Sequence, residues 1–187
     1  MNTMISEQAK DGFNYLLQEA LKNNLVASSS DVFEIETVED VGEIKEKEIV
    51  IMSISSYLFR IITFFYFTLN DATKDQFSKI IKVQAADMDE RAFYDALGEF
   101  GNMYSGSLNR DVGKYFPYVG LSTPIILEKN CADHMNSLGC GHIQHYRIAV
   151  NSSAKFHASL CICDYEDLDF IVEKAAADVS GGELEMF

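Results

Sequence analysis

A carboxylate and a carboxamide stand one helical turn apart near the middle of the chain. Asp95, Glu99 and Asn102 have the spacing i, i+4 and i+7. On a helix this spacing places the three side chains in one row. Such a row would offer a partner a charged acceptor beside an amide that both donates and accepts hydrogen bonds. A site of this kind works only if a rigid element holds its geometry.

A long helix is predicted to hold this row. Asp87 and Glu90 have the spacing of a capping box, so the helix is expected to begin there and to end near residue 108. One narrow apolar stripe must face the core, and it consists of Phe93, Leu97, Phe100, Tyr104 and Leu108. The polar row lies opposite this stripe. Because polar residues in that position are typical of any amphipathic helix, the row alone does not define a site.

Two glycines interrupt the same predicted helix. Gly98 and Gly101 each cost about 1 kcal/mol relative to alanine in a helix interior. One interpretation is that they allow another backbone to approach closely. That neighbour could be an internal helix or a docking partner, and the sequence leaves both open.

Periodicity along the rest of the chain predicts an α+β fold, with helices layered on a mostly antiparallel sheet. The expected elements are a helix over 6–25, a strand over 31–37, a hairpin over 49–55 and 57–68, a short helix capped by Asp71, a strand over 120–127, a loop over 131–141, a hairpin over 142–150 and 154–164, and a last helix over 167–177. One structural domain is expected, comprising an N-terminal helix and connection over 1–30, the main part over 31–177 and a frayed tail over 178–187.

An apolar run over residues 49–69 is long enough to cross a bilayer, and Arg60 is its only charge. A charge in the middle of a span is costly, and the run is rich in β-branched and aromatic residues. Two buried strands are therefore the better interpretation, and we expect no membrane insertion.

The formal net charge of −14 disfavours nucleic acid and anionic membranes as partners, because both carry negative charge. No charged and then apolar leader opens the chain, so a cytoplasmic location is expected. In that compartment the four cysteines should be reduced. Nucleophilic hydrolase and nucleotide-binding motifs are absent from the sequence: it contains no Gly-x-Ser-x-Gly elbow and no phosphate-binding glycine loop.

The polar row and its surroundings resemble a known signature. Asp95-x-x-x-Glu99-x-x-Asn102 lies within DALGEFGNMYSG, and Pro124 follows about twenty residues later in GLSTPIIL. Both segments, including Gly106, are similar to the signature helix and following strand of the CheC/CheX/FliY chemotaxis phosphatases. The motif occurs once here, as in the CheX branch. The nearest N-terminal echo, Asp11-x-x-Asn14, has a shorter acid and lies on a helix with a strong apolar stripe.

The resemblance implies a function. Family members hydrolyse the phospho-aspartate of a response regulator such as CheY, which itself holds Mg²⁺ and a lysine at the phosphoryl group. By analogy, Asn102 would orient the attacking water and Glu99 would pair with that lysine. Asp95, Gly98 and Gly106 would contact the partner. Pro124 would be structural. The chain would need no cofactor of its own, and a homodimer is expected.

Two other interpretations of the sequence compete with this one. All histidines and cysteines lie between Cys131 and Cys163, and some spacings, such as Cys131-x-x-His134, resemble those of zinc ligands. However, His142 and His145 would point to opposite faces of a strand, so no metal site is expected. The second alternative is a non-catalytic scaffold of a chemotaxis, flagellar or two-component system, because such domains also act as assembly parts.

Overall fold

A computed structural model describes residues 4–39, 42 and 44–173 of the chain. In chain order, its helices and strands are α1 (Glu7–Leu25), β1 (Phe33–Val38), β2 (Glu48–Ser55), β3 (Phe59–Phe67), α2 (Asp71–Ile81), α3 (Glu90–Val112), β4 (Gly120–Leu121), β5 (Ile125–Glu128), β6 (His142–Val150) and β7 (Ala154–Asp164). Short 3₁₀ segments cover Ala85–Asp87 and Lys129–Leu138.

The described strands form one seven-stranded sheet in the order β1-β6-β7-β3-β2-β4, with β5 also paired to β2. Every strand pair in this sheet is antiparallel. The predicted α+β class with a mostly antiparallel sheet is confirmed. Both predicted hairpins are also confirmed, because β2 pairs with β3 and β6 pairs with β7.

Most of the apolar run over 49–69 is buried, because both faces of β3 are covered; the turn at Tyr57 and the side chain of Arg60 are exposed. Phe65 and Phe67 face the helices and lie in the main core. Phe64 and Tyr66, which alternate with them, lie in a second cluster on the opposite face. Among the described residues, none of the helices combines the length and the hydrophobicity that spanning a bilayer requires.

The three α-helices of the described residues pack on one face of the sheet around an aromatic core. Phe77 of α2 meets Phe93 and Phe100 of α3 edge to face, with ring centroids 5.5 Å apart in both pairs. Phe13 of α1 contacts Phe59 of β3 in the same geometry. Edge-to-face pairs are favourable beyond the burial of their area, so they fix the helices relative to the sheet.

The opposite face of the sheet is covered by the segment Lys129–Leu138, where a loop was expected. Its buried residues, Ala132 and Met135, pack on Ile49 and Phe64. Cys140, just after this segment, is joined by a disulfide to Cys163 of β7. The expectation that all four cysteines are reduced is therefore wrong for this pair.

Several predicted boundaries differ from the structure. The N-cap of α3 is Asp89 and not Asp87, because the Asp89 carboxylate accepts the amide hydrogen of Ala92 at 2.8 Å. The N-cap of α2 is Asn70, which forms a capping box with Thr73, and not Asp71.

The predicted last helix is also wrong over residues 167–173. Leu168 instead forms a parallel bridge with Ile5, and its amide donates to the Met4 carbonyl at 3.0 Å. The remainder of that predicted helix, 174–177, and the predicted frayed tail over 178–187 lie outside the described residues. The domain boundary placed at residue 30 stays a prediction.

Candidate functional site

Helix α3 is firmly seated, which is the first requirement for a site on its outer face. Phe93, Leu97 and Phe100 are fully buried. The hydroxyl of Tyr104, also buried, lies 2.9 Å from the Thr63 hydroxyl of β3. Burial raises the pKa of Tyr104 to about 12, so its hydroxyl stays neutral and can share this hydrogen bond at ordinary pH.

The opposite face of α3 presents the polar row to solvent. Asp95, Glu99 and Asn102 are all exposed, as the sequence predicted. Within the described residues, no hydrogen bond or ion pair engages any of their side chains. Glu99 and Asn102 are therefore held on a rigid backbone with their polar atoms available to a partner.

The glycines of α3 fall into two kinds. A Cβ atom built on Gly98 or Gly106 would meet no atom of the described residues within 4 Å, whereas one on Gly101 would lie 3.1 Å from Val50 Cγ1 and 3.3 Å from Pro124 Cβ. Gly101 is thus explained by the close approach of the neighbouring edge of the sheet. Among the described residues, no neighbour explains Gly98 or Gly106 in this way, and the two lie one turn before and one turn after Asn102.

This contrast predicts opposite effects of alanine on stability. Gly98→Ala and Gly106→Ala should each raise the free energy of unfolding by about 0.5–1 kcal/mol, because alanine favours the helix and the added methyl meets open space. Gly101→Ala should lower it by about 1 kcal/mol, because Val50 and the ring of Pro124 are stiff neighbours. Urea unfolding followed by circular dichroism measures all three. Destabilisation by Gly98→Ala would contradict the open environment described here.

The edge segment beside α3 explains the position of Pro124. The predicted strand over 120–127 is divided into β4 and β5, and both pair with β2. Between them, Ser122 accepts the amide hydrogen of Ser53 through its hydroxyl and donates its own amide to the Ser53 carbonyl, each at 2.9 Å. Pro124 cannot donate to a ladder, so it suits this break, and it is pressed against Gly101 as described above.

One residue beside the row was missed by the sequence reasoning. Met103 is 41 % exposed on α3, directly after Asn102 and one turn after Glu99. Its position outside the predicted apolar stripe is the signal that could have identified it. An exposed methionine next to the polar pair offers an adaptable apolar contact to a partner.

The N-terminal echo of the motif does not form a second exposed pair. The side-chain oxygen of Asn14 on α1 accepts hydrogen bonds from the Tyr146 hydroxyl at 2.8 Å and from His142 Nε2 at 3.0 Å. Asn14 is therefore turned towards the sheet. Burial lowers the pKa of His142, and the nearby Lys10 lowers it further, so the neutral form of the imidazole is favoured.

Asn14→Ala should therefore change the stability of the fold and leave the binding of a partner unchanged. Removing the amide leaves two part-buried donors without their acceptor, so the free energy of unfolding should fall by about 1–3 kcal/mol. Asn23→Ala, an exposed position on the same helix, is the matched control and should change it by less than about 0.5 kcal/mol. Denaturant unfolding compares the two. Equal effects would show that the Asn14 bonds contribute nothing.

The histidines and cysteines do not assemble into a metal centre within the described residues, where no group of three or more His, Cys, Asp or Glu side chains could hold an ion. His142 bonds to Asn14 on the helix side of the sheet, and His145 lies 2.7 Å from the Ser159 hydroxyl on the other side. The prediction that these two histidines face opposite ways is confirmed. Burial raises the pKa of Cys161 to about 12, so this thiol is an inert core residue.

Comparison with solved structures identifies the fold. A CheC-like superfamily protein from Shewanella sp. PV-4 matches with a TM-score of 0.57 and 15 % identity, covering 80 % of this chain and 96 % of that chain. CheX from Vibrio vulnificus matches with a TM-score of 0.57 and 14 % identity, covering 81 % and 99 %. No protein-family model and no curated protein matches the sequence.

A third match is to a complex. In the CheX–CheY–BeF3–Mg²⁺ structure from Borrelia burgdorferi, the matched chain gives a TM-score of 0.59 and 12 % identity, covering 82 % of this chain and 97 % of that chain. Across most of its length, this chain therefore has the fold of the CheC-like and CheX chemotaxis proteins. The fold that the motif resemblance implied is confirmed.

Proposed function

We propose that this protein accelerates hydrolysis of the phospho-aspartate of a CheY-like response regulator. The observation that carries the proposal is the pair Glu99 and Asn102. Both are exposed, neither is bonded within the described chain, and both are mounted on a helix whose opposite side is fully buried. The fold is one for which a complex with CheY, BeF3 and Mg²⁺ has been crystallised, and this supports a receiver domain as the partner.

The chemistry requires little covalent work from the helper protein. An acyl phosphate is hydrolysed when water attacks phosphorus in line with the leaving carboxylate, while the regulator's own Mg²⁺ and lysine neutralise the developing charge. What is missing in the regulator alone is a group that fixes the water on the open side. Holding the water in line with the phosphorus replaces a chance encounter by a fixed geometry of attack, which is catalysis by positioning.

Asn102 has the chemistry needed to orient the attacking water. Its carboxamide can accept a hydrogen bond from the water while donating another to a phosphoryl oxygen, and it has no charge to repel the phosphoryl group. Gly98 and Gly106 flank it without side chains, so the partner's active-site surface can come close to the amide. The whole site is carried by α3, so no loop movement is needed to assemble it.

Glu99 has the charge needed to pair with the regulator's lysine. It lies three residues before Asn102, and its exposed carboxylate can form a charge-assisted hydrogen bond across the interface. Asp95, one further turn away, adds negative charge to the same row and would contact the partner. Acidic residues beside the amide would keep the lysine oriented without touching the phosphoryl group.

Asn102→Ala should reduce catalysed phosphate release by at least about 100-fold, because the water loses the group that positions it. The measurement is release of phosphate from an acetyl-phosphate-loaded CheY-type receiver domain with Mg²⁺, compared with the receiver alone. Asn23→Ala on α1 serves as the control for an exposed asparagine outside the site. A wild-type rate for Asn102→Ala, with an unchanged unfolding midpoint, would refute the role of Asn102.

Glu99→Gln should instead weaken the complex. Loss of one charge-assisted bond of about 1.5–3 kcal/mol predicts a rise in KM of about 10- to 160-fold, with a smaller change in kcat. Adding receiver should therefore restore much of the rate in Glu99→Gln but not in Asn102→Ala. A fall in kcat at unchanged KM would place Glu99 in the chemical step and not in docking.

Retained binding of the phosphorylated receiver without any increase in phosphate release would favour the non-catalytic scaffold.

Cytoplasmic location and a homodimer are the setting that we propose for either function. Both stay predictions.

A further inference from the structure

A segment of ten residues, Lys129–Leu138, lies on the outer face of the sheet, which is the face opposite the helices. We call this segment the cover. Its buried side chains, Ala132 and Met135, pack in the second cluster together with Phe64 and Cys161 of the sheet. The other residues of the cover are exposed or half-buried. Within the described residues, few apolar contacts therefore hold the cover on the sheet.

The two ends of the cover are fixed to the rest of the chain, whereas its middle is not. The amide and the side chain of Lys129 both donate to backbone carbonyls of the segment that precedes β2, each at 2.8 Å. Beyond the other end, the disulfide joins Cys140 to Cys163 of β7. In the part of the chain that the structure describes, no hydrogen bond or ion pair joins residues 130–138 to another element. The disulfide is thus the main attachment of the C-terminal end of the cover.

A groove remains between the cover and the sheet. It has a volume of about 250 Å³ and is lined by Ile51, Ile62 and Phe64 of the sheet and by Met135 and Leu138 of the cover. Side chains that border such a gap lack part of the dispersion contacts that a packed core provides. The cover is therefore held less firmly than the helices on the other face.

The two sulfur atoms of the disulfide differ in their access to solvent. Cys140 is half-buried, whereas Cys163 is 7 % exposed. Arg60 of β3 is the register partner of Cys163, and its side chain is exposed on the same outer face. Residues directly opposite each other in an antiparallel pair have Cβ atoms about 5 Å apart. A cation at that position stabilises a thiolate on Cys163, which makes this sulfur the better leaving group.

We propose that the Cys140–Cys163 disulfide is a redox-sensitive cross-link that holds the cover on the sheet and is opened by a dithiol reductant. A thiolate of the reductant attacks the Cys140 sulfur, the S–S bond breaks, and Cys163 leaves as a thiolate. The second thiol of the reductant then attacks the mixed disulfide and releases Cys140. The two protons of the dithiol end on the two cysteines, and the reductant becomes a disulfide. The reverse exchange closes the cross-link again.

Reduction should release the cover without unfolding the sheet. Directly after Cys140, the Gly141 amide donates to the Asp164 side chain at 3.1 Å. Strand β6 begins at the next residue and pairs with β7 along its whole length. Neither interaction needs the S–S bond. Because a cross-link acts mainly by restricting the chain that it closes, its loss returns conformational freedom to the cover.

Cys161 can report whether the cover is closed. Its side chain is fully buried in the cluster that contains Ala132 and Met135 of the cover. Reaction of its thiol with an alkylating reagent therefore requires the cover to move away. Glu99 and Asn102 lie on a helix on the other side of the sheet, so the inference does not rest on the proposed phosphatase function.

The first test compares two full-length chains that both carry Cys131→Ser, which removes the exposed thiol of the cover. One chain keeps the disulfide, and the other also carries Cys140→Ser and Cys163→Ser. Alkylation of Cys161 by N-ethylmaleimide, followed by mass spectrometry, should be at least about tenfold faster without the disulfide. Equal rates would overturn the proposal, because the cover would then be held without the cross-link. Loss of the circular dichroism of the sheet in the variant would also overturn it, because the disulfide would then hold the whole fold.

The second test follows reduction of the wild-type chain by dithiothreitol without denaturant. The disulfide should be reduced while the circular dichroism of the sheet stays unchanged. Arg60→Gln should slow this reduction at least about threefold, whereas Arg91→Gln, at an exposed arginine of α3, should not. An unchanged rate in Arg60→Gln would overturn the assignment of Cys163 as the leaving sulfur.

Reduction that occurs only in urea concentrations that unfold the chain would identify a purely structural disulfide and overturn the proposal. Phosphate release should be the same with and without the disulfide, because the cover and α3 lie on opposite faces of the sheet. Failure of this proposal and failure of the proposed function are therefore distinguishable.

Discussion

The packing of α3 against β2 and β3 is the constraint on which the rest of the structure depends. Phe93, Leu97 and Phe100 are fully buried, and Gly101 allows the helix to approach Val50 and Pro124 closely. Burial of each large apolar side chain contributes about 1.5–3 kcal/mol, so the helix cannot rotate without losing much of the core. The direction of Glu99 and Asn102 is thus fixed by residues on the opposite side of the same helix.

Periodicity predicted the helices and hairpins well where burial was one-sided or complete. The apolar stripe from Phe93 to Leu108 predicted the orientation of α3, because a helix of fixed period can turn only one face to the core. The exposure of Asn102 followed from that orientation. Periodicity predicted the wrong start for a helix where a local capping hydrogen bond sets that start. The carboxylate of Asp89 caps α3, although Asp87 showed the better pattern, because a cap depends on one hydrogen bond and not on a repeat.

Other features could not be predicted because they depend on contacts that are distant in sequence. Nothing near Asn14 indicates that Tyr146 and His142 would bond its amide, and nothing near Cys140 indicates Cys163 as its partner. The segment over 167–173 has apolar residues at helical spacing, yet Leu168 pairs with Ile5 instead. For the candidate site, residue spacing predicted the row of Asp95, Glu99 and Asn102. It did not predict that Gly101 is crowded by its neighbours while Gly98 is open.

The division between β4 and β5 has a consequence for the behaviour of the protein at high concentration. These strands, of two and four residues, form one edge of the sheet, and Pro124 stands between them without an amide hydrogen. A long, regular edge would be a template on which strands of other molecules could stack into fibrils. The interruption leaves too few aligned donors and acceptors for that growth, so the contact that seats α3 also protects a strongly aromatic sheet from aggregation along this edge.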